Sequence, residues 1–212
     1  MTEPTPTDPV EFWEDRYAGA TRTWSGKPND SLVAAVGDLP AGRALDLGCG
    51  EGADSIWLAA RGWQVTGLDI SANALAHARS AAAEVVIPEG RITWVAHDLA
   101  TWPAEGTFDL VSACFLHSPL DFPRTDVLRR TASLIAPDGH LLIVSHGDYP
   151  PWATRQDGHD HRFLTPAEEI GALDLPADDW QTVIAETWQR DATGPDGQAA
   201  TLDDTVVLLR RR

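Results

Sequence analysis

Residues 44–55, ALDLGCGEGADS, constrain this chain more than any other stretch. A short apolar run ends on Gly48, Gly50 and Gly52, and the residues that follow resume with helical spacing. A strand that enters a helix through a glycine turn is a unit of an open α/β sheet, in which ligands bind beyond the carboxyl ends of the strands. Most such turns receive a phosphate at the helix N-terminus. This one carries Asp46, Glu51 and Asp54. A carboxylate about 5 Å from a phosphate charge costs roughly 3 kcal/mol at an effective dielectric of about 20, so the acids argue against a phosphate ligand.

The rest of the chain extends the same rhythm. RALDLG, WQVTGLD, RITWVAHD, FDLVSACF and HLLIVSH read as strands. GADSIWLAARG, SANALAHARSAAAE and TDVLRRTASLI read as helices between them, the last turned into the fifth strand by PDG. Ahead of this array, Asp8-Pro9-Val10-Glu11 has the form of a helix start, with a capping acid followed by proline at the first helical position. TWSGKPND is a turn-rich loop, and SLVAAVGDL a second helix. After the array, TPAEEIGALDL is helical, and WQTVIAETWQRD and TLDDTVVLLRR form a hairpin through ATGPDGQAA. The predicted fold class is α/β: a doubly wound, Rossmann-like and mostly parallel sheet closed by a C-terminal antiparallel hairpin. One domain is expected over 1–212. It comprises an N-terminal helical cap segment (1–39), a cofactor-binding core (40–146), a substrate-side connection (147–177) and the hairpin (178–212).

Charge narrows the partners. The formal net charge is -16, and Lys27 is the only lysine. Binding to phosphate backbones needs clustered cations, so nucleic acid and anionic membrane are disfavoured. No apolar run approaches the roughly 18 residues of a membrane span. The opening MTEPTPTDPV lacks the basic and apolar regions of a signal peptide, and Cys49 and Cys114 form no disulfide framework. A cytoplasmic setting is expected, with a small-molecule partner; the oligomeric state is not legible.

GCGEGA satisfies the glycine pattern of dinucleotide sites, but a nicotinamide-dependent oxidoreductase would want a Tyr-x-x-x-Lys pair, and no lysine accompanies Tyr17 or Tyr149. A ligand that is cationic where the turn is acidic removes the conflict. S-adenosylmethionine carries a sulfonium and an ammonium and no phosphate. Gly48 and Gly50 would let the backbone approach its methionine part, Asp46 would hold the ammonium, Asp69 would accept both ribose hydroxyls, and Asp98 would accept from the adenine amino group. Beyond strands four and five lie His117 and His146, candidates for a general base, and then Tyr149, Trp152, His159 and His161 in a long connection that would wall a substrate pocket. The alternation His159-Asp160-His161 lacks a recognised metal-ligand spacing, and no metal is expected.

At these residues the chain resembles the class I S-adenosylmethionine-dependent methyltransferases. LDLGCGEG is similar to their first motif, VTGLDIS to the acidic loop, AHDLATW to the adenine motif and FDLVSACFLH to the fourth-strand motif, over about residues 40–146. The resemblance implies a seven-stranded fold and a methyltransferase activity. It also implies a cofactor site in which Gly48 and Gly50 line the methionine part, Asp69 and Ile70 the ribose, and Asp98 and Leu99 the adenine. FWEDRYAGATRTWSGKPN, read with the glycine turn, further resembles the tellurite-resistance and thiopurine methyltransferase-like branch. In that branch the N-terminal segment covers the cofactor, which implies that Arg22 meets the methionine carboxylate and Trp24 covers the ligand. The acceptor implied is small and soluble, with a thiol or another soft nucleophile as one option. The alternative is a catalytically silent module that only binds the cofactor.

Overall fold

Alternation of period two decides the layering. The computed structural model describes residues 8–19, 21–152, 162–194 and 196–212. Its strands are β1 (Arg43–Leu47), β2 (Gln64–Asp69), β3 (Ile92–Ala96), β4 (Phe108–Cys114), β5 (Ile135–His146), β6 (Trp180–Thr193) and β7 (Ala199–Arg211). Its helices are α1 (Pro9–Arg16), α2 (Asp30–Val36), α3 (Ala53–Ala60), α4 (Ala72–Ala82), α5 (Arg124–Ala132) and α6 (Pro166–Leu173). Leu45, Leu47, Val111, Ala113, Leu141, Ile143, Val207 and Leu209 belong to one buried cluster, with Val127 and Leu128 of α5 and Leu173 of α6. Ala44, Leu110, Leu142, Val144, Val206 and Leu208 belong to a second, with Leu32 and Val36 of α2 and Leu58 of α3. Both faces of the central strands are therefore covered, as near-continuous apolar runs require.

The seven strands lie in the order β3-β2-β1-β4-β5-β7-β6. β3, β2, β1, β4 and β5 pair in parallel, and β7 runs antiparallel to both β5 and β6. The chain leaves β1 toward β2 and β3, then returns to the other side of β1 as β4. This reversal opens a crevice at the carboxyl ends of β1 and β4, where ligands of such sheets bind. The predicted terminal hairpin is β6 and β7. Among the described residues, no helix is long and apolar enough to cross a membrane.

Local chemistry sets the helix starts. Asp8 accepts the N–H groups of Val10 and Glu11 at 2.8 and 3.0 Å, and Ser71 accepts that of Ala74 at 3.1 Å. Thr165 and Glu168 form a capping box at α6. One expectation is corrected. PDG does not turn a helix into a strand that starts at His140; β5 already begins at Ile135, and α5 ends at Ala132. Ile135 pairs with Phe108 and His140 with Leu110, so Pro137-Asp138-Gly139 is absorbed as a bulge, with Asp138 at φ 66°. The apolar Ile135 is buried against Phe108 in the same cluster, which favours extending the ladder over ending it.

Candidate active site

The glycine turn is held from three sides. The N–H groups of Gly48 and Cys49 both donate to the Leu68 carbonyl, at 2.8 and 3.0 Å, which ties the turn to the end of β2. Gly50 N–H donates to Asp69 Oδ2 at 2.8 Å, while Ser71 N–H donates to Asp69 Oδ1 at 2.9 Å. Gly48 has φ +66°, and a Cβ there would lie 2.7 Å from Leu116 Cδ1, just past the end of β4. Gly50 has φ +52°, and a Cβ there would lie 3.3 Å from the Tyr17 hydroxyl. Positive φ and close neighbours together explain glycine at both positions.

Each acid has its own task. Asp46 is 2 % exposed, and its two oxygens accept the hydroxyls of Ser55 (2.7 Å) and Ser112 (3.1 Å). Burial, with the neighbouring Asp54 charge, pushes its pKa up to about 7. Asp69 is 7 % exposed; burial raises its pKa, opposed by the N–H groups of Ser71 and Gly50. Asp54 accepts both the backbone N–H and the side-chain amide of Asn29, each at 2.7 Å. Glu51 accepts the N–H groups of Thr23 and Trp24, each at 2.9 Å, and meets His77 Nδ1 at 3.0 Å. Burial alone would raise the Glu51 pKa, but these donors hold it below the usual carboxylate range.

Glu51 and Asp54 thus serve the N-terminal segment, which they fasten over the turn. Glu14 adds a third attachment: its carboxylate accepts Ala72 N–H, Asn73 N–H and Ser71 Oγ at 2.8, 3.0 and 3.0 Å, across the N-terminus of α4. Sequence reasoning missed Glu14, His77 and Tyr17 as parts of the site. Glu14 is one acid among several in a short helix, and nothing in its spacing marks a partner 58 residues away.

The sequence-predicted residues fall at the carboxyl ends of successive strands. Asp46 and Gly48 stand at the end of β1, Asp69 and Ile70 at the end of β2, Asp98 and Leu99 after β3, His117 after β4, and His146 at the end of β5. Asp98 Oδ1 accepts Ala100 N–H at 2.8 Å, and the Leu99 carbonyl accepts from the Arg130 guanidinium. Trp24 is 53 % exposed; its indole N–H donates to the Tyr17 hydroxyl at 3.0 Å, and the Arg16 guanidinium sits 5.4 Å from its ring. Arg22 is exposed and lies against Gly26, where a Cβ would meet its Nη1 at 1.8 Å. No hydrogen bond or ion pair joins Arg22 to the glycine turn among the described residues.

On the acceptor side, His146 stacks with both Phe115 and His117, with ring centroids 4.5 and 5.8 Å away. These histidines share a cavity of about 200 Å³ with Arg124, Ser145, Phe163 and Glu169. His159-Asp160-His161 lies outside the described residues. Among the described ones, no three His, Cys, Asp or Glu side chains are placed to hold a metal.

Comparison with known proteins decides the family. Residues 44–139 match the family model described as a methyltransferase domain. The chain is 33 % identical over 127 residues to ribosomal RNA small subunit methyltransferase C of Alcanivorax borkumensis, covering 57 % of this chain and 37 % of that one. It is 38 % identical over 137 residues to probable thiol methyltransferase 2 of Arabidopsis thaliana, covering 62 % and 60 %. It belongs to the class I S-adenosylmethionine-dependent methyltransferases. The chain spans about 37–60 % of the length of these two relatives. Its fold is also that of TehB from Haemophilus influenzae, at a TM-score of 0.65 and 18 % identity, covering 96 % of this chain and 67 % of that one.

The glycine turn suits the family's cofactor on its donor set. Two buried carboxylates, Asp46 and Asp69, take their hydrogen bonds from hydroxyls and backbone N–H groups, and neither forms an ion pair with Arg or Lys among the described residues. That environment favours a cationic ligand and opposes a pyrophosphate.

Proposed function

We propose that this methyltransferase moves a methyl group from S-adenosylmethionine to a small soluble acceptor, and that the acceptor atom is a soft nucleophile such as a thiol. When bound, the cofactor supplies a methyl group on a sulfonium, already a good leaving group. Gly48 and Gly50 would line its methionine part, Asp46 would answer its ammonium through the turn, Asp69 with Ile70 would take the ribose, and Asp98 with Leu99 the adenine. Trp24 and Arg22 are proposed to close the methionine end, with Tyr17 carrying the Trp24 indole. The observation that supports this reading best is the pair of buried, cation-free carboxylates at the glycine turn. For in-line transfer the chain has mainly to orient the partners and exclude water. His117 or His146 would take the proton from an acceptor that carries one.

A net charge of -16 repels polyanions at long range. A thiol is partly ionised near neutral pH and asks little of a base. The likeness to a probable thiol methyltransferase supports this acceptor, and the likeness to a ribosomal RNA methyltransferase sets the competing one. Calorimetry with S-adenosylhomocysteine and with NAD tests the cofactor: binding of the first and not the second is expected. Release of S-adenosylhomocysteine in the presence of thiols, phenols, amines and an RNA oligonucleotide tests the acceptor. Turnover on RNA alone, or on amines without any thiol, would overturn it. Tight cofactor binding without turnover on any acceptor would favour the silent module.

A further inference from the structure

One buried ion pair on the acceptor side has a shape that charge balance alone does not require. Arg124, the first residue of α5, uses its guanidinium in four directions. Nε donates to the Leu116 carbonyl at 3.0 Å, Nη1 and Nη2 donate to the Glu169 carboxylate at 3.0 and 2.5 Å, and Nη2 also donates to Ser145 Oγ at 2.8 Å. Ser145 Oγ in turn donates to Glu169 Oε1 at 3.1 Å. The two side chains are 14 % and 2 % exposed. One fork therefore joins the end of β4, the start of α5, the end of β5 and α6.

The Leu116 contact matters most. Leu116 belongs to a sharp turn in which Phe115 has φ +52° and His117 N–H donates to the Phe115 carbonyl at 2.9 Å. An aromatic residue with positive φ is unfavourable unless its surroundings impose it. Its ring is held by stacking on His146 and by the Arg190 guanidinium 5.3 Å away, and its backbone by Phe115 N–H on the Val144 carbonyl at 2.7 Å and by Arg124 on the Leu116 carbonyl. The Leu116 side chain then packs on Gly48, and His117 follows beside His146. A buried ion pair often adds no more stability than apolar residues of the same volume would, whereas a fixed fork of donors specifies geometry.

We propose that Arg124, held by Glu169, is a positioning residue that fixes the 115–117 turn against the glycine turn and so sets the acceptor side relative to the methyl donor. This rests on the cofactor reading given above. Neither side chain needs to touch the reacting atoms.

The test uses the full chain as wild type, as Arg124→Lys, as Arg124→Met and as the double variant Arg124→Met with Glu169→Leu. S-adenosylhomocysteine affinity is measured by calorimetry, and the imidazole proton resonances of His117 and His146 by NMR with and without that ligand. In the wild type, ligand at the glycine turn should shift both resonances, because Leu116 lies between. Arg124→Lys should keep Kd within threefold and lose most of the shift, since an ammonium cannot span the fork. With dithiothreitol as acceptor, its kcat should fall at least tenfold while KM for the donor stays within threefold. Arg124→Met leaves Glu169 buried without its partner and should melt lower. The double variant should recover the melting temperature and still lack the shift. A double variant that recovers both would make the pair merely structural and overturn the proposal. A wild type that binds the ligand without any histidine shift overturns it as well. A wild type that does not bind the ligand at all overturns the cofactor reading and this role together.

Discussion

Glu51 accepts the backbone N–H of Trp24 at 2.9 Å across 27 positions of sequence, and through its other oxygen the N–H of Thr23 at the same distance. A carboxylate in the glycine turn therefore anchors the segment that lies over that turn. Charge-assisted hydrogen bonds of this kind contribute about 1.5–3 kcal/mol each. Glu51→Ala should speed amide exchange at Thr23 and Trp24 by at least tenfold and leave the central strands unchanged. Slowed exchange in this segment on adding S-adenosylhomocysteine should be lost in the same variant. Hydrogen exchange read by mass spectrometry checks both, and uniform protection across the variant would assign the segment to permanent core packing.

The same clamp should release in acid. Glu51 and Glu14 both have pKa values held below the ordinary 4.5, in each case by N–H donors that outweigh burial. A depressed carboxyl pKa stabilises the folded form fully above the unfolded value and loses that contribution as pH falls through the folded one. Detachment of residues 8–30 is therefore expected below about pH 4.5, ahead of loss of the sheet. Tryptophan fluorescence, with Trp13 and Trp24 in the segment, should change before the far-ultraviolet circular dichroism of the strands does.

Much of this site was legible in the order of the chain. Strand-ending residues are easy to place once the βα rhythm is recognised, because each crossover returns the chain to the same edge of the sheet. Asp46, Asp69, Asp98, His117 and His146 therefore reach one edge from sequence alone. What the spacing could not show is which acids face a ligand and which face the protein. Glu51 and Asp54 sit within the turn and the first turn of α3, where the helix dipole explains an acid by itself; their partners, Trp24 and Asn29, come from a loop whose path no periodicity records. The bulge at Asp138 escaped for a related reason: Pro-Asp-Gly reads as a turn, and only pairing with Phe108 and Leu110 of β4 keeps it inside a strand.

Asp46 should separate stability from binding. Its pKa is raised from 3.8 to about 7, chiefly by burial. A raised carboxyl pKa means that the folded state holds its proton more tightly, so its contribution is complete below the unfolded value and is lost as pH climbs toward the folded one. Asp46→Asn keeps one acceptor for a serine hydroxyl and offers a donor to the other. The variant should flatten the stability profile between about pH 4 and 7, and gain on the order of 1 kcal/mol or more at pH 8 relative to wild type. If the carboxylate also answers the cofactor's ammonium, S-adenosylhomocysteine affinity should fall in the same protein by about tenfold, equivalent to about 1.4 kcal/mol. Urea titrations at three pH values and calorimetry measure the two effects separately.

Asp69 carries a heavier load. It holds Gly50 N–H and Ser71 N–H from its two oxygens, and the lone pairs left over are those we propose for the ribose diol. Asp69→Ala should weaken S-adenosylhomocysteine by about 1.5–3 kcal/mol for each charged hydrogen bond lost, and also loosen the turn at Gly50. Asp69→Asn should restore the thermal midpoint more than the affinity. Equal recovery of both would reduce Asp69 to a support for the turn.

The acceptor prediction turns on pH. If the nucleophile is a thiol that ionises in water, the chain need supply no base, and the rate of methyl transfer should rise as pH approaches the thiol's own pKa, about 8.5 for an ordinary alkyl thiol and lower for an aromatic one. If His117 or His146 removes the proton instead, the profile should follow the histidine and stay fixed when the thiol is changed. In the first case His117→Gln and His146→Gln should each cost less than about tenfold with a thiol; in the second, loss of the histidine that acts as base should cost at least a hundredfold, since general-base catalysis contributes about 10²–10⁴-fold. S-adenosylhomocysteine release across pH 6–9.5 with two thiols of different acidity, in wild type and in both variants, decides between them. A profile that moves with the thiol supports a site built for orientation and water exclusion. A profile that ignores the thiol and collapses in one of the histidine variants makes that histidine the base.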